Sequence, residues 1–300
     1  MRFYDVGQGL AAMVDLPDGR HLLVDAGDVA TRSGCGDVCE RAHRHLLDRL
    51  DGDLHGAPLD LLWITHQHSD HMGGAPDVLG RFDVGLFVDN GRDDDKQEIV
   101  HLHEAARARG VRMRVVNPSS HDDPLALGGG DGALRVKAVV PKAWPEKCAH
   151  DANDCSIGLR IDYCQSSILF TGDAEADEEH AFAEGPITLL QVGHHGSDTS
   201  TSLGFLDKAR PKYAVISAGH PGEGMNETYC HPRTVTVERL TERLGGPGQR
   251  ALRAFDGKVS CKRATSEHWH DVPASDRLFA TERDGDVVLA TTGDGVFAPP

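Results

Sequence analysis

Three histidines and an aspartate fall within six residues, 66–71, of the stretch "WITHQHSDHMGG" that runs from Trp63 to Gly74. Imidazole nitrogens and carboxylate oxygens are the donors expected around zinc, manganese or iron, and no thiolate lies in the cluster. Extended backbone sends the side chains of His66 and His68, two apart, to the same side. Asp70 and His71 follow where the chain turns into "MGG", whose glycines permit a tight turn and a close approach to a bound ion. One short loop thereby holds two ions, His66 and His68 on the first, Asp70 and His71 on the second. A histidine-rich turn arising by chance would have to fill four specified positions, so a metal site is the better reading.

Each ion needs further ligands. Asp173 ends the apolar run "SSILFTGD", where a carboxylate at a strand terminus is able to bridge two ions about 3.5–4 Å apart. Its competing reading is the N-cap of a helix beginning "AEADEE". In "QVGHHGSDTSTS", His194 and His195 again follow an apolar strand, one to ligate an ion or donate to a phosphate oxygen, the other to pack. His231, in "YCHPR", precedes a proline and opens a helix. His43, His45, His101 and His103 read as solvated helix faces, and His268 and His270 as loop decoration.

The elements that must position these residues alternate between strands and helices. Strands are expected over 10–16 and in "HLLVDAG", joined by a "PDG" turn, and in "LDLLWIT", "VGLFVDN" and "VRMRVVN". After a loop over 118–132 come the strands "ALRVKAVV", "CSIGLRIDY", "SSILFTGD", "ITLLQVG" and "KYAVISAG". Helices are expected in "CERAHRHLLDRL", "APDVLGRF", "KQEIVHLHEAARARG", "AEADEEHAFAEG", "STSLGFLDKARP" and "PRTVTVERLTERLG". The tail, about 245–300, reads as an extension with a loop at "SEHWHDVPASD" and a hairpin at "RLFATERDGDVVLATTG". No repeat or linker divides the chain, so residues 1–300 are expected to form one layered α/β domain.

Composition narrows the partners. A formal charge of −16 from 31 basic and 47 acidic residues argues against a broad basic surface for duplex DNA, although bound metal ions reverse the potential locally. No charged leader with an apolar core and no run of about eighteen apolar residues occurs, so a soluble, cytoplasmic protein without a membrane partner is expected. Seven cysteines without a CxxC pair read as reduced cytosolic thiols. Cys35 and Cys39 are spaced to clip a loop, and the 260–276 insertion has no assigned role.

"FYDVGQG", "LLVDAG", "THQHSDHMGG", "NDCSIGLRI", "ILFTGD", "VGHHGS", "PKYAVISAG" and "HPRTVTVERL" occur in an order that resembles the metallo-β-lactamase superfamily. Within it, the pattern is similar to the hydrolase domain of ComEC-type DNA-internalisation (competence) proteins, over roughly residues 2–244. The resemblance implies an αββα sandwich of two mixed β-sheets flanked by helices. It implies His66 and His68 on a first metal, Asp70 and His71 on a second, Asp173 on both and His231 completing the second. It further implies His195 facing a substrate phosphate, and Asp25 as a buried carboxylate orienting ligands from behind. Two positions depart from the pattern. Asn153 stands where many superfamily members have a histidine, with Asp154 or His150 as substitutes, and Leu10 follows "DVGQG" where a polar residue is frequent.

The expected protein is a hydrolase with two divalent ions, zinc or manganese, in which activated water attacks the phosphorus of a phosphodiester. Asp70, His194 and His195 are its catalytic candidates. The phosphodiester would be single-stranded nucleic acid or a small diester, and no obligate protein partner is evident. The alternatives are hydrolysis of a lactone, thioester or β-lactam at the same site, or a metal-stabilised interaction module without turnover.

Overall fold

The computed structural model describes all residues except 94, 121–132, 184, 257–260 and 262–265. Most of the expected 118–132 loop and part of the 260–276 insertion lie outside the described residues. Two mixed sheets form the centre. The first contains β1 (Arg2–Phe3), β2 (Ala12–Asp15), β3 (His21–Val24), β4 (Leu61–Trp63), β5 (Leu86–Asp89) and β6 (Arg112–Val115). The second contains β7 (Leu134–Val139), β8 (Gly158–Tyr163), β9 (Ser166–Phe170), β10 (Leu189–Gln191) and β11 (Tyr213–Ile216). β12 (Gln249–Phe255) and β13 (Trp269–Ser275) form a separate antiparallel ribbon, β14 (Leu278–Ala280) joins the second sheet and β15 (Val287–Val288) joins the first.

Strand order is β15-β1-β2-β3-β4-β5-β6 in one sheet and β14-β11-β10-β9-β8-β7 in the other. Each sheet is antiparallel at one side and parallel at the other: β3 to β6 run parallel in the first, and β9, β10, β11 and β14 in the second. Between the sheets Phe3, Leu10, Trp63, Leu159 and Phe170 are fully buried in one apolar cluster. Helices α1 (Val38–Leu54), α2 (Ser69–Met72), α3 (Ala75–Arg81) and α4 (Gln97–Ala108) follow strands of the first sheet. α5 (Leu203–Ala209), α6 (Asn226–Tyr229), α7 (Thr234–Leu244) and α8 (Thr281–Asp284) follow in the second half. The apolar stripes of α1, α3 and α4 cover the outer face of the first sheet, and those of α5 and α7 cover the second. The result is the αββα layering that the resemblance implied.

Several local expectations change. Among its described residues "AEADEEHAFAEG" forms no α-helix but a short 3₁₀ turn at Glu179–Ala181. Its backbone is recruited elsewhere: Ala176 N–H donates to Thr199 O and Glu179 Oε1 accepts from Ser202 N–H. The expected tail hairpin is split, because β14 pairs with β11 and β15 with β1. Thr281 Oγ1 fixes the crossing by hydrogen bonds with both Ala218 N and Ala218 O. "WHDVPAS" is strand rather than loop, held by seven residues of β12.

The reduced-thiol expectation also fails. Cys35–Cys39, Cys148–Cys155 and Cys230–Cys261 are disulfides, and Cys164 alone is free. Spacing alone could not show that the chain doubles back to bring Cys261 against Cys230. His43 and His103 are not solvated faces, since their side chains are mostly buried and face Asp77 at 3.0 Å and Asp89 at 2.6 Å. Among the described residues no helix is long and apolar enough to cross a membrane.

Candidate metal centre

The centre lies at the carboxyl ends of parallel strands from both sheets, where an α/β architecture leaves a crevice. Asp25 follows β3 and Thr65 to His71 follow β4, while Asp173 follows β9, His194 and His195 follow β10, and Ser217 follows β11. No single strand builds it.

Asp25 organises the first-sheet half. It is fully buried and adopts a left-handed backbone (φ 57°), which for a non-glycine residue needs support from its surroundings. Its Oδ1 accepts from Thr65 N–H at 2.7 Å, and its Oδ2 accepts from Thr65 Oγ1–H at 2.8 Å. The same Oδ2 lies 2.7 Å from His71 Nδ1, so it fixes the ring and turns Nε2 toward the cluster. Gly73 and Gly74 have ordinary negative φ values. They are needed because a Cβ would strike the backbone of Asp28–Val29 and of Ala26 respectively, which explains the "MGG" better than a turn toward an ion does. Leu10, where a polar residue is frequent, is wholly buried between the sheets, with its N–H donating to Asp70 O at 3.1 Å.

In the second-sheet half, Gln191 is almost fully buried. Its Oε1 accepts from Thr171 and Gly172 N–H at 2.8 and 2.9 Å, and its Nε2 donates to Gly172 O and Val192 O at 3.1 and 2.7 Å. One side chain thus ties together the two loops that carry Asp173 and the histidine pair. Inside the apolar run "ITLLQVG" Gln191 carries no sequence signal of that role. His194 and His195 both take left-handed backbone (φ 48° and 53°), which turns their rings in different directions. His195 Nδ1 lies 2.8 Å from Ser217 O and so carries its proton there, leaving Nε2 to face the centre. His194 is partly exposed, with Nδ1 3.2 Å from Thr199 Oγ1 and Nε2 3.4 Å from Asn153 Nδ2.

The two halves meet in overlapping groups: His66, His71 and Asp173 in one, Asp70, His71 and His195 in the other. His71 Nε2 is 3.2 Å from His195 Nε2 and 3.2 Å from Asp173 Oδ1, while His195 Nε2 is 3.4 Å from Asp70 Oδ2 and 3.3 Å from Asp173 Oδ2. His68 Nδ1 stands 3.1 Å from His66 Nε2. His231 is buried nearby, its ring centre 5.4 Å from that of His194 and its Nδ1 3.3 Å from Gln8 Nε2. Of the remaining expected ligands, Asn153 lines the cavity with its buried Oδ1 unpartnered, Asp154 is buried, and His150 is exposed. Asp173 caps no helix.

Electrostatics fit a site made for cations. Burial pulls His71 and His195 toward neutrality, but the adjoining carboxylates outweigh it. Asp173 and Asp25 hold His71 well above the ordinary histidine range, and Asp173 and Asp70 push His195 up to about 10. Burial would raise Asp70 and Asp173, yet the neighbouring histidines hold both below the usual carboxylate range. His66 and His231 go the other way, kept neutral chiefly by burial and by neighbouring histidines, with a lone pair available. Nitrogens converging on one another at 3.2 Å, with Asp173 Oδ1 buried and without a hydrogen bond, are what a bound divalent ion would satisfy.

Residues 4–220 match the family model described as "Metallo-beta-lactamase superfamily". The chain belongs to the metallo-β-lactamase superfamily. Similar curated relatives are Recombination protein 2 of Haemophilus influenzae (31% identity over 274 residues) and ComE operon protein 3 of Bacillus subtilis (30% over 251). A third is Competence protein ComA of Neisseria gonorrhoeae (28% over 257). These matches cover 88%, 79% and 83% of this chain, which therefore spans 30% of the length of each relative. Among solved structures, the short form of human tRNase Z shares 14% identity over 74% of this chain and 95% of its own, with a TM-score of 0.45. As in the resemblance drawn from its motifs, the relatives of this superfamily member include a competence protein.

Proposed function

We propose that the protein is a dinuclear metal-dependent phosphodiesterase acting on single-stranded nucleic acid or a small phosphodiester. The observation that carries this reading is the pair of three-residue groups that share His71, with Asp173 facing both His71 and His195. Two divalent ions, zinc or manganese, would supply Lewis acidity and a nucleophile at neutral pH by lowering the pKa of water. His66 and His68 would hold the first with Asp173, and Asn153 beside them. Asp70 and His71 would hold the second, also with Asp173.

The geometry favours His195 to complete that second set, because its Nε2 is the one aimed at Asp70 and Asp173. His231 stands behind it as the further candidate. His194, the more exposed of the pair, is then the histidine placed to donate to a substrate oxygen or leaving group. Asp25 acts through His71 by holding its ring.

A cavity of about 130 Å³ over the cluster accommodates little more than the scissile group, so the rest of a ligand must run across the surface. Together with the acidic balance, that supports a flexible strand or small diester over a duplex. Three disulfides favour an oxidising environment over the cytoplasm first expected.

The test is metal-dependent turnover. Stripped protein reloaded with zinc or manganese is assayed on bis-p-nitrophenyl phosphate and on single-stranded DNA, beside Asp173→Ala. Cleavage of both, lowered at least about a hundredfold in the variant, supports a nuclease, since a direct ligand should matter more than the outer partners that cost 10–100-fold. Cleavage of the small ester alone moves the substrate to a small diester. Protein that binds two ions and cleaves neither defeats the reading and turns attention to lactones and thioesters.

A further inference from the structure

Among the described residues, one permanent cation lines the metal cavity. Arg32 sits in the loop between β3 and α1 and shares that cavity with Asp70, Asp173 and His195. Its Nη1 lies 3.1 Å from Asp28 Oδ2, and its Nη2 donates to Tyr229 Oη at 2.9 Å, a contact spanning 197 residues of sequence. Tyr229 ends α6 and lines the same cavity. The guanidinium is therefore gripped from two sides of the cavity. It has five N–H groups, and these contacts engage two of them.

Both supports of this arrangement are anchored. Arg32 O accepts from Cys35 N–H at 3.2 Å, and Cys35 is bonded to Cys39 in the first turn of α1. Gly224, on the segment leading to Tyr229, packs so closely on Cys35 and Val38 that a Cβ there would crowd both. Asp28 is nearly fully buried and leaves the Arg32 head 21% exposed. A salt bridge serving stability alone has no need of a cavity of carboxylates and histidines beside it, and a largely buried pair is weak evidence of a stabilising role. A planar fork held in one orientation beside such a cavity matches the oxygens of an anionic tetrahedral group.

We infer that Arg32 is a substrate-binding residue that takes a non-bridging phosphate oxygen, with Asp28 and Tyr229 as positioning residues that orient its guanidinium. This deepens the phosphodiesterase reading and rests on it: the site selects a negatively charged diester over a neutral ester of the same size.

The experiment compares metal-loaded wild type, Arg32→Ala, Arg32→Lys and Tyr229→Phe. It measures kcat and KM for bis-p-nitrophenyl phosphate and for neutral p-nitrophenyl acetate, binding of inorganic phosphate by calorimetry, and metal content. Loss of one charge-assisted contact should raise KM for the diester and weaken phosphate about ten- to hundredfold in Arg32→Ala. Arg32→Lys should recover part of this, and Tyr229→Phe should show a shift of about threefold to tenfold. The shift for the diester should exceed that for the acetate by at least about tenfold, and metal content should hold.

Equal effects on both esters, or loss of metal, would make Arg32 a structural latch and overturn the inference. So would phosphate binding that is absent in wild type or unchanged in Arg32→Ala. A wild type that binds phosphate through Arg32 but hydrolyses no diester would remove the phosphodiesterase reading while leaving the anion-binding role standing.

Discussion

The first sheet delivers His66, His68, Asp70 and His71 from six neighbouring positions after β4. The second delivers Asp173, His194, His195 and, past β11, His231 from loops spread over residues 173–231. Each half is organised by one buried side chain of different chemistry. Asp25 holds the first half through a charge shared with His71, whereas Gln191 holds the second through four neutral hydrogen bonds to backbone. A charge beside a ligand tunes that ligand's basicity, while an amide only fixes the chain, so the two supports should fail differently.

That contrast is most sharply broken by comparing Asp25→Asn with Gln191→Leu. Asp25→Asn keeps the shape but removes the charge facing His71, and metal affinity should fall about 10–100-fold with a smaller change in Tm. Gln191→Leu strands buried backbone groups at Thr171 and Gly172. It should lower stability by roughly 3 kcal/mol or more, at about 1–3 kcal/mol for each unsatisfied group, with metal affinity changing less. Metal titration and thermal unfolding of both proteins decide it. Equal loss of affinity in the two variants would mean that Asp25 acts only as scaffold.

The same contrast explains what was legible in the sequence. The first half could be read directly, because period-two alternation and adjacent positions constrain His66 to His71 within one loop. Asp173 was reachable because it ends an apolar strand. The ring directions of His194 and His195 were not, since they depend on left-handed backbone and on Ser217, a residue from another strand. Gln191 was hidden in an apolar run, where it resembled an ordinary strand residue. Arg32 carried no signal, because its partner Tyr229 is distant in sequence. The layering followed from alternating strands and helices, but β14 and β15 did not, because two short apolar segments cannot announce that they join opposite sheets.

The disulfides fall unevenly across the comparison, and a reductant should expose it. Cys148–Cys155 brackets Asn153, and Cys230 immediately precedes His231, whereas no cysteine lies in the His66–His71 loop. Breaking Cys230–Cys261, which spans 31 residues, should cost roughly 4 kcal/mol from the loop-entropy relation. Thiol counting on unfolded protein should find one reactive cysteine before reduction and seven after it. Finding seven at the outset would restore the reduced-thiol expectation.

A pH series sharpens the part where the halves touch. In the metal-free protein His195 is raised to about 10 by Asp173 and Asp70, against burial, while its unfolded value is about 6.5. A raised basic group stabilises fully below its unfolded pKa and loses that contribution as pH rises through its folded pKa. His71 shifts in the same direction. The Tm of metal-free protein should therefore fall between about pH 7 and pH 10. Added zinc or manganese should flatten the slope and release protons on binding, because the ion replaces them. A metal-free Tm that is flat over this range would mean that the histidines are already neutral.

The smallest effect distinguishes the two histidines that compete to complete the second metal. His195 is locked by Ser217 O, a backbone atom that substitution cannot remove, whereas among the described residues the His231 ring is hydrogen-bonded by Gln8 Nε2 alone, at 3.3 Å. Gln8 also accepts from Gly219 N–H at 3.3 Å, so it ties the opening loop to the segment beyond β11. With its Oε1 taken by Gly219, Gln8 donates through Nε2 to His231 Nδ1 and leaves the ring proton on Nε2. If His231 ligates an ion, Gln8→Leu should therefore strengthen one of two metal-binding steps by up to about tenfold by freeing the ring to change tautomer. If His195 completes the set, both steps should stay within about twofold of wild type. Stepwise metal titration followed by calorimetry reads the difference. A change confined to the second step would return His231 to the ligand set and free His195 to face the substrate.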